Sequence, residues 1–289
     1  VSNLSQVTKA LEAVSASKVQ KAQAAVIETR PYAHRAWEVI VNLAGSAEAP
    51  PHPLLVCRQP IRSILIVLFT SDRGLCGAYN SNIYRAAVNY AQQFPVPVRY
   101  VAVGKRGRSS LWRARADLVA EFHGLPAVPS FAEVSPIART VIEEFMEGRS
   151  DQIFLAYTDF VNLLTQHPVI QRLLPLRPSQ LEEQAVCEYV VDMQPVGVAE
   201  YIYEPNQEEI LDTVLPRFTE LQVYQAALEA SASEHAARRM SMRNATDNAE
   251  DLLRDLTLMR NKARQQTITR ELLDIAGGSE ALEQAREAR

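Results

Sequence analysis

The sequence predicts an α/β fold: a long antiparallel coiled coil of the N- and C-terminal helices plus a central Rossmann-like α/β domain. Three observations predict it. In the C-terminal stretch 208–276, Ala249, Leu252, Leu256, Met259 and Ala263 follow one another at steps of three, four, three and four, the spacing of a coiled-coil strand. Near the N-terminus Leu4, Val7, Leu11 and Val14 repeat that pattern, and Lys18, Lys21 and Ala25 carry the same face onward. Between the two, short apolar runs alternate with amphipathic segments, which is the pattern of βαβ units and a mostly parallel sheet.

Residues 1–42 read as helix, rich in Ala, Lys, Glu and Gln. Pro31 should kink or break it, because proline costs about 3 kcal/mol in a helix interior. Residues 45–53 hold three prolines and read as a linker or loop. Strands are expected at 64–69, 98–103, 118–122 and 152–157, with helices at 80–93, 106–115 and 131–147. Residues 160–178 read as an antiparallel excursion or a loop, and 188–192 and 201–204 as late strands. Asn206 with Glu209 three residues on forms a capping-box pattern that opens the last helix, and Pro216 should kink it. At 1.5 Å per residue the 208–276 helix is roughly 100 Å long, several times what a domain of this size buries, so it must project and find partners. The expected organisation is 1–58 as N-terminal helix and linker, 59–205 as central α/β domain and 206–289 as C-terminal helix.

Composition excludes several classes. The 289 residues are 47% hydrophobic and 22% charged, with a net charge of −4. That acidic balance argues against a nucleic-acid binder. The longest apolar run, 64–69, is a third of a membrane span, so direct membrane insertion is not expected. Cys57, Cys76 and Cys187 lie far apart, with no CxxC pair and no histidine at metal-ligand spacing, which fits a reducing compartment and no metal. The chain starts at Val1 in mid-pattern, without a signal sequence, and residues are expected to be missing in front of it.

The loop from Thr70 to Asn80 follows the first strand and enters a helix, where α/β folds bind ligands. Its chemistry does not complete. A phosphatase-type Cys76 wants an arginine six residues on and meets Asn82. A P-loop wants Lys then Ser or Thr after Gly77 and meets Ala78. A dinucleotide fingerprint wants three glycines, and only Gly74 and Gly77 are present. The better reading is a tight turn with a buried Cys76. Gly104-Lys105-Arg106-Gly107 reads as a solvated basic turn. Asp72 and Asp159 each follow a strand, where turn-capping aspartates are commoner than acids of a cleft. The five histidines are scattered and pair with no nucleophile. Along the last helix, Arg238, Arg239, Arg243, Arg254, Arg260, Lys262, Arg264 and Arg270 alternate with acids. Most read as a solvated face with i,i+4 pairs. The more uniformly basic 260–270 suits an acidic partner surface.

Ser233-Glu234-His235-Ala236-Ala237-Arg238-Arg239-Met240, Met242-Arg243-Asn244-Ala245-Thr246-Asp247-Asn248-Ala249, Asn261-Lys262-Ala263-Arg264-Gln265 and Ile268-Thr269 resemble the C-terminal helix of the gamma subunit of F-type ATP synthases. Ser71-Asp72-Arg73-Gly74-Leu75-Cys76-Gly77 resembles that family's central loop, and Thr8-Lys9-Ala10 with Ala16-Ser17-Lys18 its N-terminal helix. The resemblance implies a rotor shaft without catalytic residues or cofactor. Its partners would be three alpha and three beta subunits, the epsilon subunit and the membrane ring of c subunits, and its place the cytoplasmic face of the bacterial plasma membrane. Proton flow would turn the ring and the shaft, which drives the beta sites through their states. By motif, Arg264, Gln265 and Thr269, helped by Arg260 and Lys262, fall where the family's shaft meets a beta-subunit catch loop. Lys9, Leu11 and Lys18 map to neighbouring turns, and Gly277, Gly278 and Ser279 to the shaft tip.

This chain departs from the family in beginning about a dozen residues into the usual N-terminal helix and in carrying a charged tail, 283–289, past the expected tip. The cysteine-bearing chloroplast insertion is absent, so thiol regulation is not expected. The alternative from another class is a nucleotide-binding α/β enzyme with a coiled-coil dimerisation arm and its site at Ser71 to Asn80. A third reading is a gamma-like scaffold that does not couple to protons.

Overall fold

The protein is described from a computed structural model that covers residues 1–44, 52–176 and 207–287. Two terminal helices, α1 (Ser2–Ala44) and α5 (Gln207–Glu287), flank β1 (Ile64–Phe69), α2 (Tyr79–Ala91), β2 (Val98–Val103), α3 (Lys105–Arg113), β3 (Asp117–Phe122), α4 (Phe131–Met146), β4 (Gln152–Phe160) and β5 (Gln166–Leu174). The chain divides into two compact units, Glu12–Ser241 and Val1–Leu11 with Met242–Arg289.

In the larger unit five strands form one sheet in the order β3-β2-β1-β4-β5. The pairs of β1 with β2, β1 with β4 and β2 with β3 are parallel, and β4 with β5 is antiparallel. The antiparallel excursion expected after residue 160 is therefore a strand. All six residues of β1 are buried because both faces of a parallel sheet are covered. Leu65, Val67 and Phe69 join a core with Val134, Ile137, Val141 and Phe145 of α4 and Leu211, Leu215 and Phe218 of α5. The alternate residues Ile64, Ile66 and Leu68 join a second core with Ile83 and Ala87 of α2 and Leu111 of α3. The period of two along β1 thus sorts its side chains between two helical layers.

Neither proline ends its helix. Helix α1 continues through Pro31, and α5 continues through Pro216, where Leu211, Leu215 and Phe218 hold both flanks on the sheet. Burial of such a stripe outweighs one lost backbone hydrogen bond. His52 fixes the start of the same segment. Its Nδ1 accepts the Leu54 N–H at 3.1 Å, so Nε2 carries the proton and donates to Asp212, 3.2 Å away. A capping box that sequence reading passed over opens α4, where Glu133 accepts the backbone N–H of Ser130 at 2.7 Å. The capping box expected at Asn206, residues 45–51 of the linker expected at 45–53, the late strands and Cys187 lie outside the described residues, and the linker's end at Pro53 opens a short 3-10 helix, Pro53–Leu55.

The helix seam differs from the expected one. Leu4, Val7 and Val14 are 59%, 55% and 52% exposed, and the buried positions are Thr8, Ser15, Val19 and Ala22. On α5, Ala249 is buried as expected, while Leu252, Leu256 and Met259 lie open. In the larger unit Lys18 stands near Glu234, and Glu28 near Tyr224, an antiparallel succession. In the smaller unit the Thr8 and Thr246 hydroxyls meet at 2.7 Å, and Thr246 Oγ1 also donates to the Met242 carbonyl at 2.9 Å. Small side chains let two backbones approach, and a hydroxyl with its hydrogen bonds made is no longer costly to bury. A search for large apolar side chains therefore selects the neighbouring, outward positions.

Gly104 has φ 98°, and a Cβ there would stand 2.2 Å from the Thr70 carbonyl oxygen, whereas Gly77, with φ 56°, opens onto empty space. Gly104→Ala should cost about 3 kcal/mol or more, because backbone must move, and Gly77→Ala about 1 kcal/mol of left-handed strain alone. Urea unfolding of the full chain checks this, and equal midpoints for the two variants would sink it.

Candidate functional site: a joint at the carboxyl ends of the strands

In open α/β sheets ligands bind beyond the carboxyl ends of the strands, where the winding direction reverses. Here that point lies between β1 and β4, and the loop after β1 is the Ser71–Asn80 segment. The loop is folded onto itself. The Ser71 N–H donates to Asn80 Oδ1 at 2.9 Å and the Ser71 hydroxyl to the Arg73 carbonyl at 2.6 Å. Asn80 Nδ2 donates to the Ser71 hydroxyl at 2.7 Å and to Cys76 Sγ at 3.2 Å. Cys76 is buried, so its thiol is a packing group, in keeping with the turn reading.

Asp72 ties the loop to its neighbours. Its Oδ1 accepts the Lys105 N–H at 2.9 Å and its Oδ2 the Gly124 N–H at 2.7 Å. One carboxylate thus closes the turns after β2 and β3, a capping role. At the loop's tip Leu75 has φ 65° and is 61% exposed, a left-handed leucine that the surrounding bonds must hold in place.

Helix α5 is bonded to the loops at this edge of the sheet. The Tyr79 hydroxyl donates to the Ala230 carbonyl at 2.9 Å, and the Ser231 hydroxyl to the Ala127 carbonyl at 2.5 Å. Two turns on, Arg238 is buried with all five of its N–H donors engaged. Nε donates to the Gly74 carbonyl at 3.3 Å, and Nη2 to the carbonyls of Arg73 and Gly74, each at 3.3 Å. Nη1 meets Glu234 Oε1 at 2.7 Å and His235 Nδ1 at 3.1 Å. Arginine only donates, so His235 Nδ1 accepts and the ring is neutral with its proton on Nε2. The i,i+4 pair read from the sequence exists, but its arginine is a buried fastening.

Burial sets the electrostatics. Desolvation raises the Glu234 carboxyl above its usual value, and Arg238 opposes that rise. Desolvation lowers His235 to about 4, helped by the charges of Arg238 and Lys18. No group of three or more His, Cys, Asp or Glu that would hold a metal occurs among the described residues.

The residues expected at the catch lie elsewhere, in the smaller unit. Arg260, Lys262, Arg264, Gln265 and Thr269 are exposed, as are Gly277, Gly278 and Ser279. The Thr269 hydroxyl donates to the Gln265 carbonyl at 2.9 Å within the helix. On α1, Lys9 is exposed, Leu11 half-buried, and Lys18 half-buried beside Glu234. At 100° per residue Arg260 and Arg264 lie about 150° around α5 from Lys262, Gln265 and Thr269. Leu252, Leu253, Leu256, Leu258 and Met259, together with Ile268, Leu272 and Ile275, all exposed, fall on every side of the helix. Sequence reading missed the joint itself, although Glu234, His235 and Arg238 stand in register on one stretch of helix.

The chain matches the family described as ATP synthase over residues 1–282. It is 43% identical over 284 residues to the ATP synthase gamma chain of Dehalococcoides mccartyi, covering 98% of this chain and 95% of that one. It is 45% identical over 286 residues to that of Roseiflexus castenholzii, covering 98% and 94%. Among solved structures it resembles a chain of the central stalk and c ring of the Tetrahymena thermophila mitochondrial ATP synthase, with TM-score 0.60 and 27% identity over 83% of this chain and 99% of that one. A chain of the Euglena gracilis mitochondrial ATP synthase shares the fold, with TM-score 0.55 and 19% identity over 99% and 97%.

The His235 shift fixes a pH dependence. With the folded value near 4 and the unfolded value near 6.5, the unfolded chain binds more protons between them. This share of stability is complete above pH 6.5 and is lost as pH falls toward 4. Glu234, raised on folding, contributes in the opposite sense, since its share fades as pH rises. His235→Gln should therefore flatten the fall in urea midpoint between pH 6.5 and 4. An unchanged slope in that variant would assign the fall to other groups.

Proposed function

This chain belongs to the gamma-chain family of ATP synthases, and we propose that it is the central-stalk rotor that links turning of the membrane c ring to conformational cycling of the beta subunits. It is a non-catalytic subunit. The observation that carries the proposal is the bare part of α5. From residue 250 to 279 every described side chain is exposed except half-buried Thr257, and large apolar groups occur on all sides. Large apolar side chains left open on every side of a helix, interleaved with its charges, are contact surface for partners that surround it. A flat docking surface would cover one side; a ring of subunits covers every side.

The two polar stripes fit the same picture. Arg260 and Arg264 on one side, and Lys262, Gln265 and Thr269 on the other, meet different subunits of a surrounding ring of three alpha and three beta chains. Contacts that differ from one beta subunit to the next are what a conformational drive consists of, and shifting a two-state site from 1:99 to 99:1 takes about 5.5 kcal/mol of such bias. Arg264 offers a planar, permanently charged fork to a beta-subunit carboxylate, and Lys9 and Leu11 lie on the neighbouring helix. Gly277, Gly278 and Ser279 form the tip. The epsilon subunit and the c ring hold the α/β unit. No helix of the described residues is long and apolar enough to cross a membrane, so attachment to the cytoplasmic face of the bacterial plasma membrane goes through the ring.

Reconstitution of this chain with alpha and beta subunits tests the reading. One copy should assemble per complex, and Arg264→Ala with Gln265→Ala should lower ATP hydrolysis by about tenfold, the equivalent of ~1.4 kcal/mol of lost contact. Failure of the unaltered chain to assemble would overturn the rotor reading. Normal turnover by the double variant would overturn the catch assignment alone.

A further inference from the structure

We propose that Arg238 is a positioning residue of the rotor, the fastening that fixes the rotational setting of α5 against the α/β domain and so passes torque between them. The inference rests on the rotor reading above.

Most of what holds α5 to the sheet is apolar. Leu211, Leu215, Phe218 and Ala226 pack into the core shared with β1 and α4, and such contacts are non-directional. They oppose separation strongly and rotation about the helix axis weakly. Torque about that axis needs directional bonds at a radius. Earlier turns of α5 carry such bonds at Asp212, to His52, and at Glu220, to Ser135 and Arg139 of α4; among the described residues, those that join 230–238 to the carboxyl-edge loops run from Tyr79 to the Ala230 carbonyl, from Ser231 to the Ala127 carbonyl, and from Arg238 to the carbonyls of Arg73 and Gly74. The Tyr79 bond acts at the helix backbone, close to the axis, and Ser231 has a short arm. Arg238 reaches the loop from the helix's outer radius, roughly 5–6 Å with side chains included, and holds two successive carbonyls by a planar fork. It is also the last of the three before α5 passes out of this unit after Ser241.

The fork is braced from behind. Glu234 and His235 engage Nη1, which leaves Nε and Nη2 directed at the loop. The loop in turn is braced by Asp72, whose two oxygens tie it to the turns after β2 and β3. Force applied at Arg238 therefore reaches three strand ends. A solvent-exposed lysine or arginine on the same helix would bend away; a buried guanidinium with every donor used has nowhere else to bond.

The test uses the assembled synthase in sealed vesicles, with ATP hydrolysis per complex and ATP-driven proton uptake measured together. Arg238→Ala should keep hydrolysis per assembled complex near the unaltered rate and lower the ratio of protons taken up to ATP hydrolysed by about threefold or more, on the scale of a network's interaction energy. Arg238→Lys keeps the charge but grips one point, and should fall between the two. Ile137→Val, which weakens the core away from the joint, should lose thermal stability and keep the ratio. If Arg238→Ala fails to assemble, Arg238→Lys decides. A ratio unchanged in the assembled variants, or lowered equally by Ile137→Val, overturns the proposal. An unaltered chain that does not assemble at all overturns the rotor reading instead.

Discussion

A guanidinium is buried only where its donors are met, and at the carboxyl ends of β1 and β4 that requirement shapes everything around it. Arg238 uses five donors on four residues: two loop carbonyl groups, a carboxylate and a neutral imidazole. The loop must turn its carbonyls outward, which the Ser71–Asn80 bonds and the left-handed Leu75 accomplish. The histidine must stay neutral, and burial beside two cations keeps it so. Each of these features looks like part of a ligand site in isolation. Together they tie the carboxyl edge of the sheet to the protein's own helix.

The two parts of α5 solve different physical problems. Up to Ala230 its buried residues join the core with the sheet and α4, and at Thr246 it meets Thr8 of α1. Farther on, leucines and a methionine face outward in every direction. Leaving such surface in water costs about 25 cal/mol per Å² of apolar area, a cost that only association removes. The arrangement is that of a part whose folding is completed by assembly. The bracing of Arg238 and the bareness of the later turns are complementary: one end of the helix is fixed in rotation by its own domain, and the other is shaped for neighbours.

Much of this was legible in the sequence. The unbroken aliphatic run of β1 specifies a strand covered on both faces, and the alternation of strand and helix specifies a parallel sheet, because these patterns reflect burial that any such fold requires. The failed phosphate motifs weighed against the enzyme reading, since a P-loop or a dinucleotide fingerprint needs particular residues at particular spacings. The blocks around Arg238 and Arg264 carried the family. The seam between the terminal helices was misread by one position. Periodicity finds large apolar side chains, and here the buried positions are Thr8, Ser15, Val19 and Ala22, while Leu4 and Val7 are exposed.

What the sequence determined by itself was the identity and order of the elements, because strand and helix periods are local properties of the chain. What only the tertiary structure decided was which side chains those elements bring together. Arg238 lies 164 residues from Gly74, and in the sequence it is one arginine among several on a charged helix. Its burial, and hence its difference from Arg260 or Arg264, follows from where the sheet's carboxyl edge meets the helix. That is a non-local fact: the free energy of a charge depends on the water it loses and the partners it gains, and both are fixed only when the chain has folded.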